Sequence, residues 1–287
     1  MREPHAQAEN TVEPVPEIAK ITIKGSGFFG GDRDMVTKIF KPGGDGPFPV
    51  LLFSHGRAGE AEERAKLKYP IPLGHVQYWL KKGYAVIAPI RPGYGETGGV
   101  DRESTGAHYD ASGKCDIQGK ADHAHTVNSA RTVMLSAVDW IRNQSWARHD
   151  RILLEGQSVG GITTVALCAT NPPGVVGCIN FSGGSGGSPK SEGKVCNPEV
   201  IDGLMREWGK TTKVPSIWFY AANDQYWGPD NPKQWHKSFA AGGSATTFIG
   251  TDVVPTEDGH QLLRKGGRMW SIPLNDWLKN TCHTAND

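Results

Sequence analysis

The sequence predicts an α/β fold, with a mostly parallel central sheet, an antiparallel N-terminal strand pair and helices on both faces. Short apolar runs typical of buried strands alternate with segments in which apolar residues recur at helical spacing. This alternation favours a parallel sheet, and open sheets of this kind reach the length of the 287-residue chain. We therefore expect a disordered N-terminal segment over residues 1–17 and a single domain over residues 18–287.

The individual elements follow from the position of the apolar residues. Two runs at 18–23 and 35–40 predict the antiparallel strand pair that opens the sheet. A near-continuous apolar run at 48–53 is typical of a strand that is covered on both faces. Further strands are predicted over 84–89, 151–155, 175–181, 214–220 and 245–249, and helices over 127–141, from 162 onward, and over 270–279.

Two long polar segments, at about 96–126 and 182–213, interrupt this alternation. Both contain several glycines, and each follows a predicted strand. Loops of this length in a compact domain are usually functional. Because parallel strands end at one rim of the sheet, we expect both segments to form cap-like loops that wall a pocket there.

One serine has the sequence context of a catalytic nucleophile. Residues 156–161 read GQSVGG, a G-x-S-x-G motif centred on Ser158, between the strand predicted at 151–155 and a helical pattern. Strand, motif and helix in this order indicate a nucleophile elbow. Its turn is so tight that side chains at Gly156 and Gly160 would clash. The helix N-terminus beyond the serine favours developing negative charge.

A second G-x-S-x-G match, at 183–187, is centred on Ser185. It also follows an apolar run, but the next residues, 188–193, read SPKSEG and cannot begin an apolar helix. We interpret this segment as a mobile loop and expect Ser185→Ala to change the rate little.

The nucleophile needs a base, and the base needs a group that orients it. In chains with this elbow, the acid and then the histidine follow the serine. Asp224 ends the strand predicted at 214–220, and His260 lies between the last strand and the closing helix. Because such loops converge at one rim of the sheet, Ser158, Asp224 and His260 are predicted to form a catalytic triad. Asp230 and Asp252 are the alternatives for the acid.

The loop after the strand at 48–53 is predicted to complete an oxyanion hole. It reads SHGRAG over 54–59. One donor of such a hole comes from this loop and the other from the residue after the nucleophile, so we assign the backbone N–H groups of Arg57 and Val159. His55 is interpreted as a brace of the loop. The Arg57 guanidinium either bonds local carbonyls or pairs with a substrate carboxylate.

Together these segments resemble the α/β-hydrolase superfamily, and within it the dienelactone-hydrolase-like and esterase branch. The resemblance covers roughly residues 18–280 and rests on SHGR, RPGYG, GQSVGG, ND and GH, which begin at positions 54, 91, 156, 223 and 259. It implies the α/β-hydrolase fold and a serine hydrolase. Dienelactone hydrolases proper carry cysteine as the nucleophile, so serine at position 158 favours an ordinary serine esterase.

The expected function is hydrolysis of a small-molecule carboxylic ester through an acyl-enzyme, with no cofactor and no metal. A peptidase or amidase of the same fold would use the same triad, and the lack of an N-terminal gating domain favours esters. A non-catalytic ligand-binding relative would usually have lost a triad member. Tyr94, Tyr226 and Trp227 are predicted to wall the pocket. The oligomeric state is left open.

Charge and hydropathy exclude other classes of protein. The net charge is +1 and the basic residues are scattered, which gives no support for nucleic-acid binding. No stretch is apolar and long enough to span a membrane. Residues 122–125 read DHAH, with His108 and Asp110 nearby, but this spacing matches no metal motif. We interpret the segment as a solvated loop.

The compartment is predicted from two weak features. Residues 6–8 read AQA, which resembles the end of a signal-peptide cleavage site, although no apolar region precedes it. We expect a periplasmic or secreted protein, with the cytoplasm as the alternative. A disulfide between Cys115 and Cys196 is possible in an oxidising compartment. Cys168 and Cys178 are predicted to be buried thiols.

Overall fold

Eight strands form one sheet in the computed structural model, which describes residues 13–25 and 31–281. They are β1 (Glu17–Ile23), β2 (Arg33–Phe40), β3 (Phe48–Ser54), β4 (Ala85–Pro89), β5 (Ala147–Gln157), β6 (Val175–Phe181), β7 (Ser216–Ala221) and β8 (Thr246–Thr251). Their order across the sheet is β1-β2-β4-β3-β5-β6-β7-β8. β2 runs antiparallel to β1 and β4, and all other pairs are parallel. The predicted mostly parallel sheet is confirmed.

Helices surround this sheet. They are α1 (Ala61–Ala65), α2 (Leu73–Leu80), α3 (His123–Ile141), α4 (Val159–Cys168), α5 (Pro198–Thr211), α6 (Asn231–Ala240), α7 (Leu262–Lys265) and α8 (Arg268–Thr281). No helix of the described residues is both long and apolar enough to cross a membrane. The predicted disordered segment lies mainly at residues 1–12, outside the described residues, and β1 already begins at Glu17.

The interpretation of 182–213 as a loop is wrong for its second half, which forms α5. This helix begins with Pro198, which suits a first helical turn because its missing N–H would be unpaired there. Ile201, Met205 and Gly209 are buried at intervals of four residues, so the helix presents one apolar stripe to the core. The stripe is only three residues long and charged residues lie on either side of it, so the sequence of the segment is polar on average.

The core lies on both faces of the sheet. Leu51 and Phe53 of β3 belong to an apolar cluster that contains Trp79 of α2 and residues of α8. Val50 and Leu52, which alternate with them, belong to a second cluster on α3 and β5. Alternate residues of a strand point to opposite faces, so a strand buried on both sides is apolar throughout. Both layers hold the C-terminal ends of β3 and β5 in place.

Two disulfides cross-link the described chain. One joins Cys115 to Cys196, as the sequence allowed. The other joins Cys168 to Cys178, so the prediction of free thiols there is wrong, although both side chains are 1% exposed as expected. The end of α4 packs against β6 with the two Cα atoms 6.6 Å apart, which is within reach of a bridge.

Acid is expected to destabilise the fold through His236 on α6. Burial between Trp218 and Phe248 lowers the pKa of His236 to about 4, against 6.5 for the free side chain. As the pH falls from 6.5 to 4 the unfolded chain binds a proton that the folded chain does not, so stability decreases across this window. The shift corresponds to about 3 kcal/mol, which partial exposure of the ring reduces to about 1–2 kcal/mol.

Urea unfolding of the wild type and His236→Gln between pH 7.5 and 4 tests this expectation. Glutamine keeps a polar partner for the Thr246 hydroxyl, which lies 3.0 Å from His236 Nε2, but it does not titrate. The variant should lose about 1–2 kcal/mol less than the wild type on acidification. His149→Gln, at an exposed histidine, is the control. Identical pH slopes for the wild type and His236→Gln would contradict the assignment.

Candidate active site

Ser158 lies in a sharp turn between the last residue of β5 and the first residue of α4. Its φ and ψ are 58° and −126°, a strained conformation for a residue with a side chain. A Cβ atom on Gly156 would collide with the carbonyl oxygen of Gly160, and one on Gly160 would collide with that of Ser54. The two motif glycines therefore permit close approach of three backbone segments around the serine.

His260 and Asp224 form a buried hydrogen-bonded pair. His260 Nδ1 lies 3.0 Å from Asp224 Oδ2 and 3.2 Å from Oδ1, and the two residues are 7% and 2% exposed. Asp224 Oδ1 also accepts the N–H groups of Tyr226 and Trp227, at 2.9 and 3.2 Å. The carboxylate thus reaches His260 already held by the backbone of its own turn.

The two alternative acids do not contact His260. The side chain of Asp230 is 93% exposed and pairs with Lys233. Asp252 is exposed beyond β8. Of the three carboxylates considered, only Asp224 can orient the imidazole.

Asp258 is a contributor that the sequence analysis missed. Its Oδ1 accepts the N–H groups of His260 at 2.9 Å and of Gln225 at 3.0 Å. It therefore ties the histidine loop to the loop that carries Asp224. An aspartate two residues before the histidine is the usual signature of such a turn.

Gln157, the residue before the serine, connects the turn that carries Ser158 to the His260 loop. Gln157 Nε2 donates to the His260 carbonyl at 3.1 Å. Between Ser158 and the His260 ring, both of which the structure describes, there is no direct hydrogen bond. Catalytic hydrogen bonds often shorten only when substrate binds, so the arrangement is compatible with proton transfer.

The loop after β3 lies directly against Ser158. A Cβ atom on Gly56 would stand 3.2 Å from Ser158 Cβ. Within the described chain, neither Arg57 N–H nor Val159 N–H donates a hydrogen bond. Free donors at a helix start and in an adjacent loop can stabilise an oxyanion.

His55 braces this loop, in line with its interpretation from the sequence. Its Nδ1 lies 2.7 Å from the Gly56 carbonyl, and its Nε2 accepts the Arg91 N–H at 3.1 Å. Burial, and secondly the Arg91 charge, hold the pKa of His55 well below its usual value. A neutral ring with both nitrogens engaged is a structural element rather than a base.

A buried ion pair supports the same loop from behind. Arg91 donates through Nε and Nη2 to the two carboxylate oxygens of Glu103, at 2.5 and 2.8 Å. Its Nη1 donates to the His55 carbonyl at 2.7 Å. Tyr94 donates to Glu103 at 3.0 Å and is 2% exposed. Tyr94 does not line the cavity, so its assignment to the pocket wall is wrong.

The Arg57 guanidinium is bound to Asp101 in the first long loop. Nη2 lies 2.5 Å from Oδ2, and Nε lies 3.5 Å from Oδ1. Burial alone would lower the pKa of Arg57, but the bond to Asp101 outweighs it and raises that pKa. Of the two alternatives, the structure thus favours bracing over a free substrate-binding charge, and the bracing partner is the Asp101 carboxylate instead of a local carbonyl.

A cavity of about 800 Å³ opens beside Ser158. Arg57, Val159, Tyr226 and Trp227 line it close to the serine. Both long segments form its outer wall, through residues that include Ser104, Thr105, His108, Tyr109, Asp110, Ser185, Gly186, Ser188, Lys190 and Ser191. The lining is largely polar, with an aromatic side at the triad end.

The two walls of this cavity are joined to each other. The Cys115–Cys196 disulfide links them with a Cα separation of 5.3 Å. The Tyr109 hydroxyl accepts the Cys196 N–H at 3.1 Å and lies within hydrogen-bond distance of the carbonyl oxygens of Gly186 and Lys194. The shape of the cavity therefore depends on this connection.

Removing the disulfide is expected to destabilise the protein and weaken substrate binding. The bridge closes a loop of 81 residues, and the chain-entropy relation gives about 4.5 kcal/mol as an upper value for a loop of that size. Cys115→Ala combined with Cys196→Ala should lower the free energy of unfolding by about 2–4 kcal/mol, measured in urea. It should also raise KM more than it lowers kcat. A change in stability below about 1 kcal/mol would contradict the expectation.

No metal site is found in the described part of the chain: it contains no group of three or more histidine, cysteine or acidic side chains that could hold an ion. The interpretation of 122–125 as a solvated loop is wrong. Asp122 accepts the His125 N–H at 2.8 Å and so caps α3, and His123 is fully buried. The His123 ring bonds Ser185, which fixes the loop that we had interpreted as mobile.

The fold and the site define an α/β-hydrolase, and solved structures of that class are similar to this chain. An esterase of Pyrococcus furiosus has a TM-score of 0.63 at 11% identity, over 98% of this chain and 96% of that one. A protein of Klebsiella pneumoniae described as a dienelactone hydrolase has a TM-score of 0.55 at 14% identity, over 94% and 100%. The acylaminoacyl peptidase of Pyrococcus horikoshii has a TM-score of 0.60 at 13% identity, over 95% of this chain but 43% of its own.

The chain belongs to the X-Pro dipeptidyl-peptidase (S15) family, whose sequence model matches residues 30–213. That family is part of the α/β-hydrolase clan, so the fold and superfamily predicted from the motifs are confirmed. No curated protein matches the chain in sequence. Membership of the family defines a hydrolase but leaves the choice between ester and peptide substrates open.

Proposed function

We propose that the protein is a serine esterase that cleaves small carboxylic esters through an acyl-enzyme. The observation that carries this proposal is the buried Asp224–His260 pair beside a strained serine at the cavity. In the proposed reaction His260 Nε2 removes the Ser158 proton, and the serine oxygen attacks the ester carbonyl. The N–H groups of Arg57 and Val159 stabilise the oxyanion.

The second half of the proposed reaction reverses the proton transfers. His260, now protonated, donates to the leaving alcohol, and the acyl group stays on Ser158. A water molecule then loses a proton to His260 and attacks the acyl carbon. The protonated His260 returns that proton to the Ser158 oxygen as its bond to the acyl group breaks, which releases the acid and restores the enzyme. Asp224 keeps the proton of the neutral ring on Nδ1 and stabilises the imidazolium throughout.

Ester cleavage is the least demanding reaction for such a site. An aryl or alkyl alcohol leaves with modest help from an acid, whereas an amine must be protonated before it can leave. A site that cleaves amides therefore cleaves activated esters as well, but the reverse does not hold. For this reason we place esters first.

Peptide cleavage is the second candidate, and the S15 family match favours it. An X-Pro substrate would place its acyl group on Ser158 in the same way. The cavity beside the serine, at about 800 Å³, is large enough to hold a dipeptide.

Two assays with one chromophore family separate these candidates. Hydrolysis of p-nitrophenyl acetate and butyrate, with a burst equal to the enzyme concentration, is expected for the esterase. Hydrolysis of glycyl-prolyl p-nitroanilide at a comparable kcat/KM would instead assign the protein as a peptidase. Absence of both, with no labelling by a fluorophosphonate, would leave a non-catalytic binding protein.

We also propose that the protein works in an oxidising compartment, the periplasm or outside the cell. The two disulfides support this, because such bridges persist there and are rare in the cytoplasm. Alkylation of fractionated cells followed by mass spectrometry is the test. Cys115 and Cys196 should escape alkylation until a reductant is added; free thiols at both would favour the cytoplasm.

A further inference from the structure

Ser185 and His123 form a second serine–histidine pair in the wall of the same cavity. Ser185 Oγ lies 2.7 Å from His123 Nδ1, and the two residues are 1% and 0% exposed. Ser185 is nevertheless one of the cavity-lining residues. The proposed reaction does not use this pair.

The partners of His123 fix the direction of the hydrogen bond. Its Nε2 lies 2.8 Å from the Cys196 carbonyl, which can only accept, so Nε2 carries a proton. Burial is the main cause that lowers the pKa of His123, and the ring is therefore neutral. Nδ1 must then accept, and Ser185 must donate to it. With its proton engaged in this bond, the Ser185 oxygen has only lone pairs left to offer another group.

This pair lacks the features that make Ser158 a candidate nucleophile. The partner of the histidine is a neutral carbonyl, which cannot offset the charge of a buried imidazolium. The segment after Ser185 forms a single 3₁₀ turn at Pro189–Ser191 instead of a helix with free N–H groups aimed at the serine. The geometry suits a fixed hydrogen-bond acceptor better than a base and nucleophile.

The segment that carries Ser185 contacts the backbone of the candidate nucleophile. Gly184 N–H donates to the Ser158 carbonyl at 3.2 Å, so Ser185 follows the residue that contacts the serine backbone. The Trp227 ring packs closely against Gly184 and Gly187 on either side of it. A substrate group at Ser185 would therefore meet one polar atom beside an aromatic surface.

We propose that Ser185, positioned by His123, is a specificity residue that accepts a hydrogen bond from a hydroxyl or N–H group of the substrate. This inference rests on the proposed function, because it places the substrate in the Ser158 cavity. It narrows the substrate class to esters or amides with a donor near the scissile bond. It also gives the second G-x-S-x-G motif a role in recognition.

Matched p-nitrophenyl esters test the proposal. Each pair differs by one donor: benzyloxycarbonyl-glycine against benzyloxycarbonyl-sarcosine, and 3- or 4-hydroxyphenylacetate against its methoxy counterpart. The wild type should prefer the donor in at least one pair by about tenfold in kcat/KM, the size of one buried hydrogen bond. In Ser185→Ala this ratio should fall to about one. A ratio that persists in Ser185→Ala, or no preference in any wild-type pair, would overturn the proposal.

The control is Ser129→Ala, a buried serine on the same helix as His123 that does not line the cavity. Its selectivity ratio should match that of the wild type. A fluorophosphonate probe on Ser158→Ala, followed by peptide mapping, adds an independent readout. Labelling of Ser185 would overturn the proposal, because it would make that serine a nucleophile.

A binding measurement on a variant without the nucleophile tests the specificity role of Ser185 independently of the proposed reaction. Calorimetric titration of the same ester pairs into Ser158→Ala measures donor preference without turnover. If the wild type hydrolysed no ester, the proposed function would fail. A tenfold preference of Ser158→Ala for binding the donor ester, lost when Ser185→Ala is added to it, would still support the specificity role. Equal binding of both members of every pair would overturn it.

Discussion

Ser158→Ala is expected to reduce ester turnover by about three or more powers of ten while the protein remains folded. Without the hydroxyl no acyl-enzyme can form, and only the oxyanion donors and substrate binding still contribute. Alanine keeps the Cβ atom that the turn already accommodates, so the strained backbone at φ 58° is not made worse. Steady-state hydrolysis of p-nitrophenyl acetate and the thermal unfolding midpoint measure the two quantities.

Ser185, the serine of the second G-x-S-x-G motif, provides the comparison that tests which serine is the nucleophile. If Ser185→Ala lost activity by powers of ten on every ester while Ser158→Ala did not, the nucleophile assignment would be reversed. Burst amplitude gives a further check, because the stoichiometric release of p-nitrophenol should vanish in Ser158→Ala. A burst that persists would mean that another residue carries the acyl group.

The fold could be predicted from the sequence because its elements have strong periodic signals. Residues 50–53 are apolar without interruption because this part of β3 is buried on both faces. The helix α5 was missed because it exposes most of its surface and its buried stripe consists of three residues. Its only strong marker is Pro198 at the start, and that residue follows a long glycine-rich stretch.

The candidate site could be predicted where backbone geometry restricts the residue type. Gly156 and Gly160 are required by close backbone approach, so the motif itself carries the turn. Arg91 and Glu103 have no such signal, since two residues 12 positions apart in a loop can pair only once the loop has folded. The same holds for His123 and Ser185, which are 62 positions apart.

Tyr94 shows why pocket walls are difficult to predict. It follows β4 at the correct rim of the sheet, and aromatic side chains there frequently face a ligand. In this chain the Glu103 carboxylate draws its hydroxyl inward, and its ring packs against His55 at 4.6 Å. Tyr94 points inward because the buried Glu103 carboxylate requires a hydrogen-bond donor. The sequence around Tyr94 contains no pattern that predicts this pairing.

Asp224→Asn is expected to reduce turnover by about three to four powers of ten with little effect on substrate binding. Oδ1 of Asp224 accepts the Tyr226 and Trp227 N–H groups, so an asparagine would place its carbonyl oxygen there. Its NH₂ group would then occupy the Oδ2 position, 3.0 Å from His260 Nδ1.

An amide NH₂ at that position donates to Nδ1 and so forces the ring proton onto Nε2. The ring could then no longer accept the Ser158 proton, which explains a large loss of kcat without a large change in KM. Asp230→Asn, at an exposed carboxylate directly before α6, is the matched control and should behave as the wild type. A kcat for Asp224→Asn within tenfold of the wild type would show that Asp224 does not set the tautomer of His260.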